Sequence, residues 1–250
     1  MAEYEYPLST EEREELIDLY EGLRVTDVVD GLDYNGYHDI GQVSQEIRPL
    51  YRDIEEFSHR CVGFANTVRY MPTQTPRHLS RPEELTNDEF AEWEGEWYGD
   101  RAGGPGDSPE GIREHDVVVL EATGIDVGNI GSANAFGWNL EGAAGVVTNG
   151  GVRDTDELIK QDIPTYYKTI SQPIIPGRDE FEAAEVPVNI DGTKVKPGDV
   201  VVADGDGVVV VPLEVARSVG EAADRIQSED QEDRREYYEE AGLEPDFTLE

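Results

Sequence analysis

The sequence predicts an α/β fold in which parallel strands alternate with helices. Three apolar segments are typical of buried strands, namely DVVVLEAT (116–123), GVVTN (145–149) and PTYYKT (164–169). Two segments with helical spacing separate them, ANAFGWNLEGA (133–143) and DTDELIKQ (154–161). Strands that alternate with helices at this spacing are typical of parallel sheets, because each helix returns the chain to the same edge of the sheet.

The N-terminal part predicts two helices and one strand. Apolar residues recur at helical spacing over residues 10–22, and a second helix is expected over residues 24–34. The segment CVGFANTVRY (61–70) combines β-branched and aromatic residues and predicts a strand.

Residues 72–112 interrupt this pattern and predict an insertion in a single domain that spans residues 1–250. The segment is rich in Pro, Gly and acidic residues, and loops of this length are usually functional or contain a helix of their own. Its part DEFAEWEGEWY (88–98) fits a short helix that covers a site, but an ordered surface excursion is the favoured interpretation.

The C-terminal third predicts more strands and then a helical extension. The segments EVPVNI and KVKPGDVVVADGDGVVVVP are typical of strands joined by tight turns. We expect a helical extension over residues 213–243, built from two helices at 213–227 and 229–243. The second helix carries Arg234 and Arg235 among many acidic residues.

The charge of the chain excludes several kinds of partner. The net charge is −36, from 56 acidic and 20 basic residues, and the acidic residues are spread among apolar segments that need a core. Such a surface repels nucleic acid and anionic membranes, so we expect neither as a partner. Molar salt shortens the Debye length to about 3 Å and relieves the self-repulsion. We therefore expect a halophilic protein of an archaeal cytoplasm.

Cysteine and histidine point to no metal cluster or disulfide. Cys61 is the only cysteine, and we expect it to be a small buried apolar side chain. The four histidines have no metal-ligand spacing. The acidic N-terminus lacks the pattern of a signal peptide, and no segment is apolar enough to span a membrane, which favours a cytoplasmic location.

Two loops carry the residues with the clearest chemistry. They are GNIGSAN (128–134) and NGGVRD (149–154), each between a predicted strand and a predicted helix. Ligands of α/β proteins bind where strands end and helices begin, and loops after neighbouring strands face each other. The free N–H groups near Ser132 suit a carboxylate or an enolate oxygen. Arg153 suits a carboxylate, and Asp154 suits Mg²⁺, which keeps most of its waters.

Other interpretations of these loops remain open. Gly150 and Gly151 are expected to let a ligand approach the backbone closely. The same spacing also fits an ordinary helix start, with Asp154 as the N-cap and Arg153 paired with surface acids. A phosphate-binding loop is disfavoured, because GIDVGNIG lacks the Lys-Ser/Thr ending of a P-loop and the register of GxGxxG.

The segment GSANAFGWNLEGAAGVVTNGGVRDTDEL, followed by IPTYYK, KVKPGDVVVADGDGVVVVP and DRREYYEEAGL, resembles the RraA-like family. That family includes class II 4-hydroxy-4-methyl-2-oxoglutarate / 4-carboxy-4-hydroxy-2-oxoadipate aldolases and the regulator that inhibits ribonuclease E. The resemblance implies a ββα core like the swivelling phosphohistidine domain, with flanking N- and C-terminal helices. It also implies a homotrimer or homohexamer with sites between subunits.

The resemblance also implies roles for individual residues. Gly131, Ser132, Ala133 and Asn134 would hold the pyruvate part of the substrate by backbone N–H groups. Arg153 would bind its carboxylate, and Asp154 would bind Mg²⁺ or Mn²⁺. The aldolases have an acidic residue where this chain has Ser132, so we expect Ser132 to shape the pocket and to cap the following helix. A neighbouring subunit would add Asp230 or Glu229 to the water shell of the metal.

Three functions follow from these observations. The first is a metal-dependent lyase, an aldolase or an oxaloacetate decarboxylase, that acts on a 2-oxo acid such as a 2-keto-3-deoxy sugar acid through a pyruvate enolate. The second is a regulatory binding protein of an RNA-processing enzyme, which needs no metal. The third, a methyltransferase, is disfavoured because no convincing nucleotide-binding loop is present.

Overall fold

The computed structural model describes residues 8–75, 86–105, 111–122, 124 and 126–249. The helices are α1 (Thr10–Tyr20), α2 (Val25–Tyr34), α3 (Asn87–Asp100), α4 (Ser132–Leu140), α5 (Thr155–Lys160) and α6 (Ala216–Ala241). Two 3-10 helices cover Leu213–Val215 and Phe247–Leu249.

Thirteen strands lie in the described part of the chain. The first seven are β1 (Arg48–Pro49), β2 (Cys61–Pro72), β3 (Asp116–Glu121), β4 (Gly128–Ile130), β5 (Ala143–Thr148), β6 (Gly151–Val152) and β7 (Thr165–Tyr167). The others are β8 (Thr169–Ile170), β9 (Asp179–Ala184), β10 (Val188–Ile190), β11 (Thr193–Val195), β12 (Val200–Asp204) and β13 (Gly207–Val211).

The main sheet confirms the predicted α/β fold. Its strands follow the order β1-β7-β5-β3-β2-β12-β13, and the central neighbours β2, β3, β5 and β7 are parallel. The strand β3 is buried on both faces, with Val117 and Val119 towards one apolar cluster and Val118 and Leu120 towards another. Burial on both faces explains why this strand is a continuous apolar run in the sequence.

The sheet curves until its edges nearly meet, so that it resembles a barrel. The amide of Val43, shortly before β1, donates to the carbonyl oxygen of Val208 in β13 at 3.0 Å. The long strand β2 pairs with β12 along its first half and with β9 along its second half. The inside of the curved sheet is filled by an apolar cluster that includes Val117, Val201 and Val210.

Helices cover the outside of the sheet in two groups. The helices α1, α2 and α6 pack on β2, β12 and β13, around residues such as Tyr20 and Phe64. The helices α4 and α5 pack on β3 and β5 through Ala135 and Leu158. The loops that precede α4 and α5 lie at the end of the sheet opposite to the end that α6 covers.

Two predicted element boundaries are wrong. One continuous helix, α6, replaces the two predicted C-terminal helices, because no Gly or Pro lies between Gly220 and Gly242. Gly242 ends that helix in the left-handed conformation, with φ of 67°. The predicted strand at 164–169 is divided into β7 and β8, which pair in different sheets.

The predicted insertion contains a helix in its described part. Thr86 begins α3 with a capping box, in which its side chain accepts from the Glu89 amide. Residues 76–85 and 106–110 of the insertion lie outside the described residues. Within the part of the chain that the structure describes, no helix has an apolar stretch long enough to cross a bilayer.

Candidate active site

A small parallel sheet brings the two loops together. The strand β4 leads into α4, and the strand β6 leads into Arg153, Asp154 and α5. These strands pair in parallel, with Gly128 opposite Gly151. The amide of Arg153 also donates to the carbonyl oxygen of Ile130 at 2.8 Å. The prediction that the two loops face each other is therefore confirmed.

The Asp154 carboxylate lies between the two loops. Its Oδ2 accepts from the Ser132 amide at 3.4 Å, and its Oδ1 lies 3.3 Å from Nε of Arg153. The Arg153 and Asp154 side chains are 33% and 38% exposed, so a ligand from solvent can reach both charged groups. The arrangement offers a guanidinium and a carboxylate side by side.

The alternative interpretation of NGGVRD as an ordinary helix start, with the Asp154 side chain as the cap, is wrong about the role of that side chain. Asp154 occupies the N-cap position of α5, but its side chain makes no cap hydrogen bond. Its backbone is left-handed, with φ of 53° and ψ of 42°, which turns the carboxylate towards the opposite loop. Arg153 pairs with Asp154 itself, and no more distant acid of the described ranges pairs with it.

The start of α4 differs from the prediction at Ser132. Gly131 is the N-cap, and Oδ1 of Asn134 accepts from the Gly131 amide at 2.8 Å. Ser132 already lies in the first turn of the helix, so the prediction that it caps α4 is wrong. The amides of Ala133 and Asn134 donate no hydrogen bond within the described part of the chain. These two N–H groups are available to an anionic oxygen.

The glycines of the two loops serve different purposes. Gly150 and Gly151 are buried, and a Cβ on Gly151 would collide with the carbonyl oxygen of Val127 and lie 2.5 Å from Oγ of Ser171. The prediction that they admit a ligand is therefore wrong, because protein groups fill that space. Gly131, by contrast, faces the charged pair, since a Cβ there would lie 2.7 Å from Oδ2 of Asp154.

A buried aspartate joins the inserted helix to the candidate site. Nε1 of Trp97 in α3 donates to the carbonyl oxygen of Asp179 at 3.3 Å. The side-chain amide of Asn129 in β4 donates to Oδ2 of the same Asp179 at 3.0 Å. The sequence analysis did not predict a role for Asp179. No motif around the start of β9 distinguishes this aspartate from the many surface acids. The link places α3 beside the loop that leads into α4.

Tyr98 of α3 lies within the electrostatic reach of Arg153. Burial raises the pKa of Tyr98, and the carboxylate of Glu94 raises it further, whereas the Arg153 guanidinium acts in the opposite direction. The Tyr98 ring is 44% exposed. The described part of the insertion thus contains the predicted helix, and its role as a cover of the site stays a prediction.

The two candidates for a second carboxylate lie on α6. Asp230 makes an ion pair of 2.8 Å with Nη2 of Arg24, which connects α6 to the start of α2 in the same chain. Glu229 is its exposed neighbour. Because α6 covers the other end of the sheet, a contribution of Asp230 or Glu229 to this site would come from a neighbouring subunit, and it stays a prediction.

The residues present suit a divalent cation that keeps most of its water. The described residues contain no group of three or more His, Cys, Asp or Glu side chains that could enclose a metal ion. Asp154 offers one accessible carboxylate with only two long polar contacts. Mg²⁺ is commonly bound by one or two carboxylates together with substrate oxygens and waters. Asp154 therefore suits an ion that the protein binds from one side. The described residues do not suit an ion that is enclosed by protein ligands.

Comparison with protein families identifies the family of this chain. The family model described as RraA-like (Aldolase/RraA) matches residues 25–210. The chain belongs to the RraA-like family. The match includes both loops of the candidate site and the curved sheet except Val211, the last residue of β13, and α6 lies beyond it.

Relatives in this family carry aldolase names. The chain is 39% identical over 75 residues to a provisionally named 4-hydroxy-4-methyl-2-oxoglutarate aldolase from Arabidopsis thaliana, covering 30% of this chain and 45% of that one. A protein of the same provisional name from Burkholderia mallei is 37% identical over 84 residues, covering 33% and 47%. The chain thus spans about half the length of these curated relatives.

Solved structures share the fold. A protein from Pseudomonas syringae, described as uncharacterized, is 24% identical with a TM-score of 0.69, covering 92% of this chain and 94% of that one. RraAS2 from Streptomyces coelicolor, described as an unusual member of the RNase ES inhibitor RraA family, is 22% identical with a TM-score of 0.65, covering 88% and 96%. The RraA-like fold is therefore shared beyond the matched sequence segments.

Proposed function

We propose that this protein is a divalent-metal-dependent lyase that cleaves a 2-oxo acid through a pyruvate enolate. The observation that carries this proposal is the position of Asp154, whose carboxylate lies beside the Arg153 guanidinium and opposite the start of α4. That carboxylate makes no cap hydrogen bond to α5, the helix that it precedes, and it contacts the first residue of α4 in the opposite loop instead. Aldolase names among the relatives support the same class of reaction.

Arg153 would bind and orient the substrate. Its planar guanidinium matches the carboxylate of a 2-oxo acid through two parallel hydrogen bonds. It supplies a single cation, which favours a substrate with one carboxylate, such as a 2-keto-3-deoxy sugar acid. The amides of Ala133 and Asn134 point from the start of α4 and would stabilise negative charge on the neighbouring ketone oxygen.

Asp154 would hold Mg²⁺ or Mn²⁺ in this site, alone or with the Asp230 or Glu229 of a neighbouring subunit. Such an ion supplies Lewis-acid stabilisation of the charge that develops on the substrate oxygen. Cleavage of the C3–C4 bond, one carbon beyond the C2 ketone, leaves its electron pair in the pyruvate enolate, which takes up a proton at C3 to give pyruvate. In aldol cleavage the C4 hydroxyl loses its proton and C4 leaves as a carbonyl carbon, and in decarboxylation C4 leaves as carbon dioxide. Aldol cleavage and decarboxylation of oxaloacetate share this enolate, so one site can perform both.

Ser132 would not transfer the proton. Its hydroxyl is a neutral group that cannot act as a base near neutral pH. It lies in the first turn of α4, next to the Asp154 carboxylate, where it would contact the substrate and shape the pocket.

The surroundings of the site are also part of the proposal. We expect a halophilic cytoplasmic protein, a homotrimer or homohexamer, in which a neighbouring subunit closes the exposed side of the site. The oligomeric state is measured by light scattering in molar KCl. A monomer that has full lyase activity would contradict the shared site.

The decisive experiment measures pyruvate release. A panel of 2-keto-3-deoxy acids and oxaloacetate is incubated with the protein in molar KCl, with Mg²⁺, with Mn²⁺ or with EDTA. After subtraction of the pyruvate formed in protein-free controls with the same metal or EDTA, we expect pyruvate from at least one substrate with metal and none in EDTA. A protein that is folded but inactive on the whole panel would favour the alternative function, a regulatory binding protein of an RNA-processing enzyme.

A further inference from the structure

A large cleft lies at the other end of the sheet, away from the candidate active site. Its volume is about 880 Å³, and it lies between the loop before β2, the α1–α2 connection, α6 and the 3-10 helix Phe247–Leu249. Of the described residues, those that line it include neither Arg153 nor Asp154. The apolar side chains of Leu23, Val62 and Val202 contribute to its wall.

Arg60 in this cleft has no carboxylate partner among the described residues. Among the residues that the structure describes, its side chain makes no ion pair and no hydrogen bond, and its Nε is buried. Within the described residues, six other arginines pair with carboxylates, namely Arg13, Arg24, Arg69, Arg101, Arg153 and Arg217. Arg60 differs from exposed arginines such as Arg48 and Arg225, for which the described residues also supply no carboxylate partner, because its Nε is buried. A buried cationic nitrogen without a partner is destabilising unless something binds the group.

The structure holds the Arg60 guanidinium in a fixed position. Its Cζ lies 3.8 Å from the centre of the Phe57 ring, a stacking geometry that leaves the edge of the guanidinium free. Phe57 has a left-handed backbone with φ of 58°, which a residue with a Cβ rarely adopts. The ring of Phe247 packs against Phe57 with 5.0 Å between the ring centres.

The helix α6 secures the far side of the cleft. Arg234 and Arg235, which stand out among the acidic residues of the sequence, donate to the carbonyl oxygens of Thr248 and Leu249. These bonds hold the 3-10 helix that carries Phe247. Nε of Arg234 is also buried and has no hydrogen-bond partner in the described part of the chain. Two of the cleft's arginines thus have unsatisfied donors.

We propose that this cleft binds a small organic anion with one carboxylate or phosphate group and an apolar body. The anionic group would take the free edge of the Arg60 guanidinium by two parallel hydrogen bonds. The apolar body would lie against Leu23, Val62 and Val202. Glu21, Glu56 and Asp224 also line the cleft, so a ligand with several negative charges would be repelled.

Calorimetric titration tests the proposal with simple probes at constant KCl concentration. Benzoate and phenyl phosphate carry both parts of the ligand, inorganic phosphate carries only the charge, and benzyl alcohol carries only the apolar body. We expect benzoate or phenyl phosphate to bind more tightly than inorganic phosphate and benzyl alcohol. The ratio of the dissociation constants of benzoate and phenyl phosphate shows whether the cleft prefers a carboxylate or a phosphate group. In Arg60→Gln the affinity should fall at least about tenfold, which is about 1.4 kcal/mol.

Two control variants locate the binding. Arg225→Gln makes the same charge change on α6, where Arg225 stacks on Tyr34 outside the cleft, and it should keep the wild-type affinity. Arg153→Ala should also keep it, because that residue belongs to the proposed catalytic site. If Arg60→Gln does not fold by circular dichroism, Arg60→Lys retains the charge without the planar group and should bind several-fold more weakly.

Three outcomes would overturn the proposal. The first is the absence of binding by benzoate and phenyl phosphate at millimolar concentrations. The second is equal affinity in the wild type and in a folded Arg60 variant. The third is loss of binding in Arg153→Ala, which would place the anion in the candidate active site. Each outcome leaves the pyruvate assay of the proposed lyase unaffected.

Discussion

Gly131 and Asp154 lie against each other across the two loops of the candidate site. A Cβ on Gly131 would be 2.7 Å from Oδ2 of Asp154, closer than such atoms approach in proteins. The backbone of Gly131 is extended, with φ of −127°, so a larger residue meets no backbone strain there. Glycine at this position leaves the space that the Asp154 carboxylate occupies.

Replacement of Gly131 by alanine should displace the Asp154 carboxylate. We expect turnover in Gly131→Ala to fall by at least about tenfold, roughly 1.4 kcal/mol in the barrier, with little change in melting temperature. Gly137→Ala in the same helix is the matched control, because a Cβ there meets nothing within 4 Å. That control should keep its activity and gain up to about 1 kcal/mol in stability. Equal activity in the two variants would contradict the role of Gly131.

Asp154→Asn should keep the fold and lose metal-dependent turnover. The Asp154 side chain forms no cap, and asparagine tolerates the left-handed backbone at this position. Thermal unfolding and pyruvate release measure the two properties. Asp156→Asn, in the exposed first turn of α5, makes the same charge change and should remain active. Full activity of Asp154→Asn, or of the wild type in EDTA, would rule out the proposed mechanism.

Ser132→Ala and Arg153→Ala should differ greatly in turnover. Loss of the Ser132 hydroxyl should lower turnover by no more than about tenfold, roughly 1.4 kcal/mol, because the backbone N–H groups of α4 remain. Loss of Arg153 removes the charged bidentate contact to the substrate carboxylate and should cost far more. Steady-state kinetics on both variants decide the point, and our assignment fails if Ser132→Ala is the less active of the two.

Stability should depend on salt. The net charge of −36 repels itself at low ionic strength, and molar salt screens that repulsion. We expect the melting temperature to fall as KCl is lowered from the molar range to tens of millimolar. A melting temperature that does not change over this range would contradict the prediction of a halophilic protein.

Acid should destabilise the fold through His59. Burial lowers the pKa of His59 below its usual value of 6.5, and the nearby Arg60 guanidinium lowers it further. The neutral ring accepts a hydrogen bond from the Asp53 amide at 3.1 Å. Below pH 6.5 the unfolded chain therefore binds a proton that the folded chain does not, so the free energy of unfolding falls as the pH falls.

The variant His59→Asn isolates this contribution. Its side-chain oxygen can accept from Asp53, but it does not titrate. Between pH of about 7.5 and about 5.5 the wild type should lose more stability than the variant in denaturant unfolding. Parallel pH curves for the two proteins would show that His59 is not the group responsible.

The sequence by itself determined the order of strands and helices and the position of the two loops. Both depend on local patterns, because a buried parallel strand is a continuous apolar run and a helix has its own period. The adjacency of Arg153 and Asp154 at the end of a strand was likewise visible without a structure. The boundaries inside 164–169 and 213–243 were not, since pairing and packing with distant segments decide them.

Only the tertiary structure decided which residues meet in the site. In the structure, Gly150 and Gly151 are packed against other protein groups, whereas Gly131 lies against the Asp154 carboxylate. The sequence alone does not distinguish these three glycines. The tertiary structure also placed Asp179 between the inserted helix and β4. Each of these contacts joins residues that are far apart in the chain, and their distance depends on how the strands pair. Local composition carries no information about that pairing.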